Sequence, residues 1–250
     1  MVDIKTATMM WPVLATPPKA ILFDMDGTLV QLHPAGRMVV LNETLADFGL
    51  PPLSDMEQVE RFWFTSERYA MIDSWGIERP YFWKAFDSER LLEMQLHHTY
   101  AFEDVGAALN RLRIHDLRLG IVSNSAHISL GMKLDLLEQY IERHHFEVVV
   151  SCNDDVPCTK PSADGVELAL NLLNVEPHEA VLVGDSVDDI GAGKAAGVRV
   201  LVVDRGQLPT LYKNISGKHS EDDFEVIDSL HQLPAYLGLP ALPLSENWAA

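Results

Sequence analysis

Cysteine is scarce in this chain: Cys152 and Cys158 are the two among 250 residues. A disulfide framework is the device of small secreted domains, and a chain of this length has little need of one, so free thiols are expected. No further Cys or His stands at metal-ligand spacing from the pair, which argues against structural zinc. His97-His98 and His144-His145 likewise have no completing ligands beside them in sequence. Long apolar runs are also missing. No window approaches the ~20 apolar residues of a membrane-spanning helix. The early apolar stretch follows Asp3 and Lys5, is broken by Pro12, and lacks the uninterrupted core of a signal peptide. A cytoplasmic protein with no membrane partner is the expectation. Basic residues are the third shortage, 19 Lys+Arg against 37 Asp+Glu for a net charge of -18. Such a surface repels phosphate backbones and anionic lipid, so no nucleic acid partner is expected. A locally positive pocket for a small anion remains compatible with it.

What is present is an ordinary globular composition, 47% hydrophobic and 22% charged, in a length that suits one large domain or a core with an inserted subdomain. Residues 1–19 read as a leader ending in Pro17-Pro18 and residues 20–24 as a buried strand. Helical periodicity then runs over 38–49, 55–72 and 80–98, punctuated by Gly49, Pro51, Gly76 and Pro80. No strand is expected between Leu29 and Ala101. Beyond Phe102 the pattern alternates. Helices are expected at 104–113, 128–140, 163–173 and 188–196, with strands at 117–123, 146–151, 180–184 and 198–203. Strands alternating with short helices imply βαβ units and a parallel sheet covered on both faces. The layout is therefore a parallel α/β core interrupted by a helical insertion. Ligands of such sheets bind beyond the carboxyl ends of the strands, where the insertion lies.

Four strand ends carry polar groups. The first is Asp24-Met25-Asp26-Gly27-Thr28, directly after Ala20-Ile21-Leu22-Phe23. Two carboxylates two residues apart at a strand end are costly unless a positive charge joins them, and a divalent cation with oxygen ligands is the natural answer. Gly27 permits a sharp turn whose N–H groups can face an anion. The second end is Ser123-Asn124, where a small hydroxyl can donate to a phosphoryl oxygen. The third is Lys160-Pro161, a positive charge before a helix start. The fourth, Gly184-Asp185-Ser186-Val187-Asp188-Asp189, adds carboxylates. Singly, Ser123, Lys160 and Asp185 read as a cap, a solvated lysine and a turn residue. Together they supply the charge neutralisation, positioning and nucleophile of phosphoryl transfer.

In this order the four segments resemble the motifs of the haloacid dehalogenase-like hydrolase superfamily, over about residues 20–204, and Asp223–Leu237 is similar to its phosphoglycolate-phosphatase-like closing segment. The resemblance implies an α/β fold, a Rossmann-like parallel sheet core with an inserted α-helical cap. The core would be 18–34 and 102–238, the cap 35–101, and the terminal extensions 1–17 and 239–250. It implies a Mg²⁺-dependent phosphatase of a small phosphorylated metabolite acting through an aspartyl-phosphate. Asp24 would be the nucleophile and Asp26 the acid/base. Thr28, Ser123, Asn124 and Lys160 would bind the phosphoryl group, with Ser123 and Lys160 counted in the catalytic set. Mg²⁺ would be held by Asp24, the Asp26 carbonyl and Asp185, with Asp189 ligating or orienting. Dehalogenases of the group lack an acid/base Asp at the position of Asp26, so that branch is excluded; a β-phosphoglucomutase-type phosphomutase and a binding protein reusing the fold are the alternatives. In the insert, aromatics from Phe62 to Phe86 read mainly as a small core, and Arg61, Arg68, Arg79 and Lys84 are candidate substrate contacts. Phe102-Glu103-Asp104-Val105 replaces the family's usual Pro-Gly turn.

Overall fold

The computed structural model describes residues 17–65, 67–115, 117–206 and 224–239; the leader and the tail expected at the two ends lie almost wholly outside them. Among the described residues six strands form one parallel sheet: β1 (Ala20–Phe23), β4 (Arg118–Ser123), β5 (Phe146–Ser151), β6 (Ala180–Gly184), β7 (Arg199–Val203) and β8 (Glu225–Ile227), in the order β5-β4-β1-β6-β7-β8. The strand order turns around β1, which pairs with β4 on one side and β6 on the other, Leu22 facing both Gly120 and Leu182. A crevice forms at such a switch point, beyond the strand's carboxyl end.

The alternation along β1 shows why it is central. Ile21 and Phe23 pack with Leu109, Leu112, Leu130 and Leu134, from α6 (Val105–Arg113) and α7 (His127–Leu137). Ala20 and Leu22 point the other way, onto Val166, Ala169, Leu170 and Leu173 of α8 (Asp164–Leu173). All four β1 side chains are buried, and full burial of a large apolar side chain is worth about 1.5–3 kcal/mol. Helix α9 (Val187–Ala196) begins in a capping box in which Ser186 and Asp189 bond each other's backbone.

The insertion holds α1 (Pro34–Asp47), α2 (Met56–Phe64), α3 (Glu67–Ser74), α4 (Arg79–Phe86) and α5 (Glu89–His97). They enclose a core of their own around Leu41, Phe62, Ile72, Phe82 and Phe86, with Phe82 stacked on Phe86 at 5.9 Å. Two expected long helices are each broken. Thr65 leaves the helical region, its hydroxyl bonding back to Arg61 O, and separates α2 from α3. Asp87 and the extended Ser88 separate α4 from α5.

The expectation of no strand between Leu29 and Ala101 is corrected. β2 (Val30–Leu32) and β3 (Thr99–Ala101) pair antiparallel, Val30 with Ala101 and Leu32 with Thr99. Each is three residues long, too short for an alternation to register, and their pairing joins the two ends of the insertion. His33 N to His98 O at 3.0 Å and Phe102 N to Leu29 O at 3.2 Å extend that stalk. The helical layer is thereby tethered just beyond β1. β8, which no alternation announces, extends the sheet edge and is held by Arg199 Nε donating to Glu225 Oε1 at 2.7 Å.

Candidate active site

Strand β1 stops at Phe23, so Asp24 opens a turn and does not continue the strand; Gly27 completes that turn at φ +85°. A Cβ on Gly27 would collide with the Asp185 carboxylate, so the first and fourth motifs touch through the space a side chain would need. Asp24 is buried, and its Oδ1 accepts from Lys160 Nζ at 2.6 Å. Its Oδ2 takes a long contact, 3.4 Å, from the buried Thr28 hydroxyl.

Lys160 is the hub. Its ammonium, 4% exposed, donates to Asp24 Oδ1, to Asp189 Oδ1 at 2.6 Å and to Val122 O at 3.0 Å. Its backbone is clamped by Asn124, whose Oδ1 accepts from Lys160 N at 2.8 Å and whose Nδ2 donates to Lys160 O at 3.1 Å. Both ends of the Asn124 amide thus bind this chain and fix the lysine. Ser123 is buried at the end of β4, and its Oγ accepts from Ser125 N at 3.2 Å, leaving its hydroxyl hydrogen to donate elsewhere. Asp189 is fully buried; its Oδ2 accepts from Asp185 N, Ser186 N and, at 2.6 Å, Ser186 Oγ. Both of its oxygens are engaged, one by Lys160 and the other by the turn after β6.

The carboxylates perturb one another. Burial pushes the Asp24 carboxyl up to about 7; Lys160 lowers it, and Asp189 and Asp26 raise it. Asp185 is driven well above the carboxylate range by burial, then by Asp24 and Asp189. Lys160 stays firmly charged: burial opposes its charge, and Asp189 and Asp24 more than restore it. One oxygen each from Asp24, Asp185 and Asp189 lies within 4.8 Å of the others. Ionising all three carboxylates against one ammonium in this buried place would leave uncompensated negative charge, which is why Asp24 and Asp185 hold their protons so far up. Hard oxygen donors in that arrangement fit a divalent cation, with Asp24 and Asp185 as its side-chain ligand candidates.

Asp26 stands apart from this group. Its side chain is 47% exposed and its Oδ2 accepts from Lys133 Nζ at 2.6 Å and from Ser125 Oγ at 2.8 Å. Neither partner was singled out in the sequence. Arg205 was also missed. It makes two 2.9 Å bonds to Asp104, donates to Thr28 O and lies 3.9 Å over the Phe102 ring.

Of the cap cations, Arg61 pairs with Glu67, Arg79 with Asp73, and Arg68 donates to Thr65 O, all within the cap, while Lys84 is exposed. His144 and His145 do gain a spatial neighbour in Glu142, but the trio is open to solvent and pairs internally. Cys152 and Cys158 are free. Among the described residues no helix is long and apolar enough to cross a membrane.

The fold and site together define a parallel α/β protein with a helical insertion, whose carboxylate cluster and buried lysine sit at the sheet's switch point. Residues 21–203 match the family model described as haloacid dehalogenase-like hydrolase. The chain is 33% identical over 201 residues to the phosphoglycolate phosphatase of Chromobacterium violaceum, covering 75% of this chain and 86% of that protein. It is 31% identical over 190 residues to the pyrophosphatase PpaX of Bacillus pumilus, covering 72% of this chain and 80% of the other. The crystal structure of CbbY from Rhodobacter sphaeroides, solved with phosphate, superposes with a TM-score of 0.68 at 23% identity, over 89% of this chain and 100% of that one. The chain belongs to the haloacid dehalogenase-like hydrolase family and is an enzyme of its phosphatase class.

Proposed function

We propose that the chain hydrolyses a small phosphorylated metabolite in two steps through an aspartyl-phosphate on Asp24, with Mg²⁺ as the cation. The observation that carries this reading is the Lys160 ammonium bridging Asp24 and Asp189 at 2.6 Å beside Asp185. A phosphoryl dianion brought to Asp24 meets that ammonium and the hydroxyls of Ser123 and Thr28. Asp24 attacks phosphorus and the ester P–O bond breaks, the leaving oxygen taking a proton from Asp26. Asp26 then removes a proton from water, whose oxygen displaces Asp24 and releases inorganic phosphate. Bound Mg²⁺, held by Asp24, Asp185 and the Asp26 carbonyl, would screen the repulsion between Asp24 and the anionic substrate.

In this reading Thr28, Ser123 and Lys160 hold the phosphoryl group, Asn124 acts by fixing Lys160, and Asp189 orients the lysine. The core is 18–34 with 102–238 and the cap 35–101. The setting is the cytoplasm and the partner a small molecule, in keeping with the charge of -18.

The test is hydrolysis of an aryl phosphate, then of a metabolite panel that includes phosphoglycolate and pyrophosphate, the substrates named for the relatives. Asp24→Asn is expected to lose several tenfold steps in kcat, each ~1.4 kcal/mol of barrier. Wild-type rates in that variant would end the nucleophile assignment. Product isomers in place of free phosphate would favour a phosphomutase.

A further inference from the structure

Lysines ordinarily keep the ammonium in water. Lys133 does not: its side chain is 10% exposed, and Nζ bonds Asp26 Oδ2 at 2.6 Å and Ser125 Oγ at 3.0 Å. Ser125 Oγ donates to that same Asp26 oxygen at 2.8 Å, closing a triangle of three side chains. Both donors are anchored in the core. Lys133 rides on α7, whose Leu130, Leu134 and Leu137 are buried against the sheet. Ser125 is held by Ser151 Oγ donating to Ser125 O at 2.9 Å and by its own N–H to Ser123 Oγ. The next turn is pinned by His127 N to Asp154 Oδ2 at 2.6 Å.

Asp26, by contrast, lies on an exposed turn, and a free carboxylate side chain there would sample several rotamers. A proton donor works only within about 2.6–3.2 Å of the atom it serves, so an unheld Asp26 would spend much of its time misplaced. The cap also addresses this ammonium: Asp87, at the α4–α5 junction, is raised by burial, lowered by Lys133 and raised again by Asp154. The group that holds Asp26 is therefore also within electrostatic reach of the cap.

We propose that Lys133 is a positioning residue for the reaction: with Ser125 it holds the Asp26 carboxylate in one orientation at the mouth of the site. The inference rests on Asp26 being the acid/base. Protonation of the leaving oxygen matters little for an acidic phenol and greatly for an alcohol, so loss of positioning has a signature that loss of folding or of phosphate binding lacks.

The experiment measures kcat/KM of the full chain with Mg²⁺, which reports transfer to Asp24 and not the later hydrolysis that both esters share, on an aryl phosphate with a good leaving group and an alkyl phosphate with a poor one. The variants are Asp26→Asn, Lys133→Met, Lys133→Arg, and the Asp26→Asn/Lys133→Met double. General acid–base groups contribute roughly 10²–10⁴-fold, so Lys133→Met is expected to cost at least about tenfold more in kcat/KM on the alkyl ester than on the aryl ester. Lys133→Arg should restore most of that difference, and Lys133→Met should cost nothing further in the Asp26→Asn background. If Lys133→Met melts early, Ser125→Ala removes the other donor and should show the same leaving-group bias. Equal losses on both esters from Lys133→Met, or a full extra loss in the double variant, would overturn the proposal while the acid/base reading stands. Equal losses on both esters from Asp26→Asn itself would overturn that reading first, and the proposal with it.

Discussion

Two carboxylates two residues apart, Asp24 and Asp26, meet opposite surroundings. Asp24 is buried on Lys160 while Asp26 faces solvent on Lys133 and Ser125. The turn that separates them depends on Gly27, at φ +85° with the Asp185 carboxylate where a Cβ would go. Gly27→Ala combines a left-handed backbone with a steric clash, so it is expected to destabilise by at least ~1 kcal/mol and to reduce turnover strongly, read by urea denaturation and by the aryl phosphate assay. Asp189 is a buried acceptor for four donors. Asp189→Ala would strip Lys160 of one of its two carboxylate partners and remove the oxygen to which the Asp185 and Ser186 amides donate. A loss of ~3 kcal/mol or more is expected from breaking such a buried pair, visible as a lower urea midpoint at unchanged m-value.

At the scale of elements, an ion pair ties the end of β7 to the start of α6. Arg205, just beyond β7, binds Asp104 at the start of α6, and Ser229 Oγ and Leu230 N donate to the same carboxylate at 2.8 Å each. Burial raises the Asp104 carboxyl, but the bonds from Arg205, Ser229 and Leu230 outweigh it and hold it below its ordinary value of 3.8. A carboxylate depressed in the folded state stabilises fully above its unfolded value and loses that contribution as pH falls through its folded value. Stability should therefore drop on acidification below about pH 4, and Asp104→Asn should flatten part of that drop while lowering stability near neutrality, as followed by urea midpoints across pH. In the cap, Phe82 is fully buried among Phe48, Phe62, Trp75, Trp83 and Phe86. Phe82→Ala is expected to cost ~3–5 kcal/mol, with amide exchange rising in α1–α5 before it rises in the sheet.

At the scale of the molecule, the net charge of -18 already includes three carboxylates, Asp24, Asp185 and Asp189, gathered at one point. A cation that binds only the folded state stabilises it by mass action, about 2.7 kcal/mol at a hundred times its Kd. Mg²⁺ should raise Tm in the wild type and do so much less in Asp185→Asn, whereas sodium chloride at matched ionic strength should not separate the two proteins. An equal rise in both would mean that Mg²⁺ acts by screening alone.

Local pattern was enough for much of this protein. Phe146–Ser151 and Ala180–Gly184 are strands over the residues their composition indicates, because an apolar run between turn residues encodes a buried strand without help from its neighbours. The four motifs were legible for the same reason: each is a short segment whose chemistry sits at a strand end. Tertiary structure decided the rest. β2 and β3 exist only as each other's partner, β8 only as an edge to β7, and the two long cap helices break where Thr65 and Ser88 find other backbone geometry. Asn124 turned out to hold Lys160, and Lys133 to hold Asp26, since no spacing along the chain records which helix will lie over which turn. Periodicity and turn chemistry are properties of neighbours in sequence. The pairing of a buried charge with its partner depends on how packed elements bring distant side chains together, and only the folded molecule specifies that.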